Sequence, residues 1–208
     1  MKFIPCISSI CLVFLAAGPA QANLCQEWNA PERIGAMDTR YMGETSGMAV
    51  SRAISDTMYT HNDSFSGGGI YKSKLDGSGV QEIGVNGGSA MDLEDISYGA
   101  CPGKPAANCI FLADIGDNYG FRGSYPVMVI EEQASMPRDV RPLMTISLRY
   151  PDGNRNAEAI AAHANGDLYV VTKEKSRPAN VYRFPAKEFA SGSVRGVKLG
   201  TLDLPRIL

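Results

Sequence analysis

The sequence lacks an apolar run of the ~20 residues that a bilayer-spanning helix needs. Its densest apolar stretch, from Ile10 to Ala17, is broken by Gly18-Pro19. It also lacks a basic cluster. The 20 Lys and Arg are scattered and outnumbered by 22 Asp and Glu, which excludes a phosphate-tracking nucleic-acid binder. No G-x-S-x-G elbow, H-E-x-x-H helix or G-x-x-x-x-G-K-[ST] loop occurs, so no complete hydrolase, metalloprotease or nucleotide-binding signature is present. Helical periodicity is missing as well. Only Arg52–Met58 and Lys187–Ala190 approach it, and both are short.

The N-terminus reads as an export signal. Lys2 supplies the positive start, the apolar stretch follows, and Ala20-Gln21-Ala22 places small residues where a signal peptidase reads. Residues 1–22 are therefore expected to be removed before Asn23, and the mature chain to be periplasmic or secreted, with no membrane span. Of five cysteines, Cys6 and Cys11 leave with the signal. Cys101 and Cys109 bracket the segment PGKPAAN, read as a loop closed by a disulfide in an oxidising compartment. Cys25 has no evident partner: a free thiol, an intermolecular link and half of a bridge completed elsewhere all remain open.

What the chain does contain is dense glycine punctuation between short alternating runs rich in Val, Ile and Tyr, the pattern of strands. Three segments share an order. ETSGMAVS from Glu44 leads to TMYTHND, EDISYGA from Glu94 leads to CIFLADIGDN, and EAIAAHANGD from Glu158 leads to LYVVTKE. In each, an acidic residue opens a small-residue strand, and an apolar strand follows that ends on a polar residue: His61, Asp114 or Lys173. Third strands begin near Gly69, Pro126 and Asn180, and fourth strands near Val80, Met144 and Val197. Four antiparallel strands per ~50 residues is the blade of a β-propeller. The expected fold is all-β, a partial propeller over 23–208 with blades at about 43–86, 92–150 and 156–204. A single β-sandwich is the competing reading. Three blades do not close a ring, so the expectation is either a truncated chain or self-association through open blade edges.

The motifs E-x-x-G-M-A-V, T-H-N-D-S, E-D-I, D-I-G-D-N and E-A-I…G-D-L-Y-V-V-T-K-E resemble those of secreted bacterial β-propeller proteins. That group is similar to phytase-like and esterase-like phytase propellers, and the resemblance runs from about Gly43 to Phe184. It implies calcium held by acidic residues near a ring axis, at positions that Glu44, Asp95, Asp114, Asp117 and Glu158 could match. The clustered acidic strand and basic phosphate-binding residues of a phytase are not evident.

Carboxylates opening the first strands (Glu44, Glu94 or Asp95, and Glu158) would face one another around such an axis and would repel unless neutralised. Calcium suits an all-oxygen donor set. Alternatively these groups accept backbone N–H groups of a neighbouring blade, and this reading is preferred. Asp114-Ile115-Gly116-Asp117-Asn118 is the densest oxygen-donor run. It fails the EF-hand template, so Asp114, Asp117 and Asn118 are either ligands of another calcium loop or parts of an Asx-turn. Arg122 is placed to pair with either aspartate. His61, beside Asn62-Asp63-Ser64, is the better general-base candidate of two histidines, but adjacent strand residues point to opposite faces and do not make a triad. His163 belongs to a surface turn. Lys173-Glu174-Lys175 reads as a solvated rim, or less readily as an anion site. The preferred reading is a binding or scaffold module. The alternative is a calcium-dependent phosphoester hydrolase using Lys173, Arg122 or His61 to hold the anion.

Overall fold

Alternation is the feature that organises the chain, and it produces fourteen strands among the described residues. The computed structural model describes residues 30–63, 69–87, 90–174 and 178–203. The expected signal at 1–22, its cleavage point before Asn23 and the orphan Cys25 lie outside the described residues. The first sheet is built from β1 (Thr45–Val50), β2 (Met58–Asn62), β3 (Ile70–Ser73) and β4 (Gln81–Val85). The second contains β5 (Asp95–Cys101), β6 (Lys104–Ala113), β7 (Tyr125–Glu131) and β9 (Met144–Arg149), with the short β8 (Asp139–Val140) in the connection before β9. The third has β10 (Ala157–Ala162), β11 (Leu168–Thr172), β12 (Ala179–Phe184) and β14 (Val197–Leu202), with β13 (Ser193–Arg195) before β14. A single 3₁₀ turn, Ala186–Ser191, is the only helical element among the described residues. None of the described helices is long and apolar enough to cross a membrane.

Within each sheet the four main strands pair antiparallel in sequence order. The protein is thus all-β, with three sheets of four or five strands, none closed on itself. Residues Ile34–Leu208 form one unit in which the second sheet is central. Its even-numbered positions Ile110, Leu112, Met128 and Ile130 pack against Tyr59, Ile70 and Ile83 of the first sheet. Its odd-numbered positions Phe111, Ala113, Val127 and Val129 pack against Val170, Tyr182 and Phe184 of the third. Because both faces of β6 are covered, its end reads as the unbroken apolar run CIFLA rather than as an alternation. The first strands come together: β5 lies beside both β1 and β10.

Two details differ from the reading of the sequence. PGKPAAN is not a loop. Only Pro102-Gly103 turns, with Gly103 at a φ of 72° that Pro-Gly turns require, and β6 begins at Lys104. The disulfide Cys101–Cys109 therefore staples a hairpin, its Cα atoms 4.9 Å apart. The equivalence of polar ends also shifts. The N–H of Asp63 donates to Glu44 O and the N–H of Lys173 to Asn156 O, and Asp95 pairs with Ala113. Asp63, Asp114 and Lys173 thus lie just past the second strand of the first hairpin of their sheets, opposite Glu44, Glu94 and Asn156. His61 lies two residues inside the strand, and Glu158 sits at a bulge between Ala157 and Ala159. Single-residue bulges displace what spacing alone aligns.

Candidate functional site

The ends of the first strands and the loops after the second strands converge on a group of carboxylates. Asp63 follows β2, whereas Asp92 and Glu94 precede β5. One oxygen from each of the three lies within 4.8 Å of the others. Gly116, in the loop after β6, makes this approach available: a Cβ there would collide with Asp92 Oδ2 and Glu94 Oε1. The lack of a side chain at Gly116 is what leaves room for two acids. Glu158 and Lys173 stand at the edge of the group and pair at 2.7 Å.

Glu94 is the unusual member. It is 8% exposed, yet among the described residues its carboxylate has no hydrogen-bond or ion-pair partner. Burial pushes its pKa up, and the charges of Glu158, Asp92 and Asp63 push it further, to about 8, with Lys173 opposing. A buried acid that neither ionises freely nor finds a donor has an unmet electrostatic demand.

The neighbouring candidates are spoken for. Asp95 accepts the N–H of its own neighbour Ile96 at 2.8 Å and that of Ile160 on β10 at 2.8 Å, so it ties the second sheet to the third. Ser97 does the same for Ala162 at 2.9 Å, and Ser46 of β1 donates to Glu94 O at 2.8 Å. Asp114 is fully buried and accepts the N–H groups of Met91 and Asp92 as well as the guanidinium of Arg122, the last at 2.7 Å. Arg122 also donates to Gly116 O. Asp117 accepts the N–H groups of Phe121 and Arg122 and the hydroxyl of Tyr125. Asn118 donates to Asp92 Oδ2 and accepts from Asn156. The D-I-G-D-N run is thus a hydrogen-bonded turn whose Gly116 and Asn118 face the acidic group. The glutamate at 44 is exposed and contributes its carbonyl.

His61 is enclosed. Its Nδ1–H donates to Asn62 O at 2.9 Å, which leaves Nε2 as the unprotonated nitrogen. Burial holds its pKa below the usual histidine value, so it is a neutral imidazole. A Cβ on Gly47 would stand 2.7 Å from His61 Nε2 and from Asp95 Oδ1. That tight seat closes the ring off from any ligand. Lys173 is exposed and engaged by Glu158 across the hairpin rather than by Glu174, which binds Thr172 Oγ1 at 2.7 Å and the amide of Asn180. His163 is exposed and pairs with Asn165.

Sequence reasoning named most of this neighbourhood but not Asp63 and Asp92 as its members. The signal for Asp63 was the position two residues beyond His61 that matches Asp114. Asp92 carried no signal, since its carboxylate arrives through a loop. No protein-family model, curated protein or solved structure matches the chain.

Proposed function

We propose that this chain is a binding module built from adjacent β-propeller-like blades of an exported protein, and that Asp63, Asp92 and Glu94 hold a divalent cation, calcium by chemistry. The observation that carries the cation reading is Glu94: a carboxylate 8% exposed, without a donor, whose oxygen lies within 4.8 Å of two further carboxylate oxygens. A hard cation with oxygen ligands satisfies that demand and leaves coordination positions for water or a bound group. The blade reading is supported by three sheets of like strand order with their first strands adjacent. Export is supported by the signal-like N-terminus and by the hairpin disulfide.

A binding role is favoured over phosphoester hydrolysis by the state of the groups that would hold an anion. Arg122 is buried on Asp114, Lys173 is paired with Glu158, and His61 is sealed under Gly47. Calorimetric titration of the folded chain with calcium chloride tests the proposal. Saturable binding is expected, with a raised melting temperature worth about 2.7 kcal/mol at a hundredfold excess over Kd. Glu94→Gln and Asp63→Asn should each abolish it. Heat-neutral titration and an unmoved melting temperature in chain of native circular dichroism would remove the cation and leave a scaffold.

A further inference from the structure

We propose that the cavity beside Tyr119, Phe121 and Asp92 is a binding site for an alkylated ammonium group of a small organic ligand. The cavity is lined by Met91, Asp92, Gly116, Tyr119, Phe121 and Arg122, together with the turn between them, and measures about 340 Å³, within the range of small-ligand cavities. Tyr119 is 89% exposed and Phe121 64%, and no other large apolar side chain among the described residues is as exposed as Tyr119. The two rings lie 6.4 Å apart between centroids and within 23° of parallel. The loop that carries them is tied down along its length. Asp117 Oδ1 accepts the N–H of Phe121 at 3.0 Å, and Oδ2 accepts the N–H of Arg122 at 3.0 Å and the hydroxyl of Tyr125 at 2.9 Å. Asp117 N–H donates to Asn156 Oδ1 at 2.7 Å, and Asn154 Nδ2 donates to Gly120 O at 2.9 Å. Two aromatic rings are therefore held out in water by a built turn, which is the mark of a binding surface rather than of packing.

The charge beside these rings is of one sign. Asp92 Oδ2 and Glu94 Oε1 lie against Gly116, where a Cβ would collide with both, and Asp63 belongs to the same group of oxygens. Arg122 is the one basic residue lining the cavity. Its guanidinium is spent on Asp114 Oδ1 and Gly116 O, both at 2.7 Å, and its side chain is buried. An anion is repelled by such a set. A neutral ligand leaves the carboxylates uncompensated, and a bare metal ion makes no use of the rings. An alkylated ammonium group uses both: its charge is drawn to the carboxylates and to the negative ring faces, and its methyl groups bury against Tyr119, Phe121 and Met91. The inference does not rest on a divalent cation at Asp63, Asp92 and Glu94, since that ion needs neither ring.

The probe is choline, titrated to millimolar concentration into the isotopically labelled full chain while backbone amide resonances are followed. A chelator is present and the ionic strength is held constant. Saturable shifts centred on Asp92, Tyr119 and Phe121 are expected. The uncharged isostere, in which a tert-butyl group replaces the trimethylammonium group, should bind about tenfold more weakly, as should choline to the double variant Tyr119→Leu, Phe121→Leu, which is the scale of a partly desolvated cation–π contact. Both side chains are exposed, so the double variant should keep the rest of the wild-type spectrum. No saturable shift, equal affinity for the isostere, undiminished affinity in the leucine variant, or shifts centred elsewhere would each overturn the proposal. Because the chelator removes divalent ions, a negative result here leaves the calcium titration untouched, and a failed calcium titration leaves choline binding standing.

Discussion

The carboxylate of Asp95, on β5, accepts the backbone N–H of Ile160, on β10, at 2.8 Å. Between two sheets that share no ladder, a side chain there stands in for a missing carbonyl, as Ser97 does for Ala162. Asp95 is thereby a structural tie and Glu94, its neighbour, the acid that faces the carboxylate group.

Asp95→Ala should destabilise the fold by about 1–3 kcal/mol, because it strands the N–H of Ile160 between sheets. Urea denaturation reads the loss. Calcium titration of the same variant at low temperature should keep the wild-type stoichiometry. Loss of calcium binding with unchanged stability would reverse the assignment of Asp95 and Glu94.

Stability without added cation should fall as pH rises through the window set by Glu94. Its folded pKa, about 8, lies above the ordinary 4.5, so the folded state holds the proton that the unfolded state has lost. The contribution is fully present below pH 4.5 and is lost progressively up to about pH 8. Glu94→Gln should flatten that slope. Calcium affinity should change in the opposite sense, rising with pH, because binding must expel the proton. Titration in two buffers of different ionisation enthalpy measures the proton released.

Arg122→Ala leaves Asp114 charged and buried without its counter-ion. A cost of about 3–5 kcal/mol follows from removing one member of a buried pair. Salt should screen the wild-type interaction weakly, since both side chains are enclosed. A loss under 1 kcal/mol in denaturant unfolding would show that the two backbone N–H groups on Asp114 suffice.

Reduction of Cys101–Cys109 should cost about 2.5 kcal/mol by loop-closure entropy. Non-reducing peptide mapping should recover the linked pair, and paired Cys101→Ala and Cys109→Ala should match the reduced protein in melting temperature. Free thiols in native chain would contradict the bridge.

Much of the architecture is written locally. The strands follow from alternating Val, Ile and Tyr runs between glycine turns, and they assemble into three sheets. The cysteine pair is legible from its spacing, although the turn between them is two residues rather than seven. The site was less legible, for reasons that belong to packing. Adjacent strand residues face opposite sides, so whether Glu94 or Asp95 meets the other acids depends on which face of β5 the third sheet covers. A bulge near Glu158 and the two-residue offset of His61 from Asp63 alter which residues share a position. Those shifts are set by pairing with β11 and with β1, not by the strands' own residues. The short β8 and β13 carry almost no sequence pattern, because two or three residues become a strand only when another sheet's free edge offers N–H and C=O groups. The chain's own composition determined that it folds as sheets held by a hairpin disulfide. Only the packing of one sheet on the next decided which carboxylate would be a tie, Asp95, and which would face the other acids, Glu94.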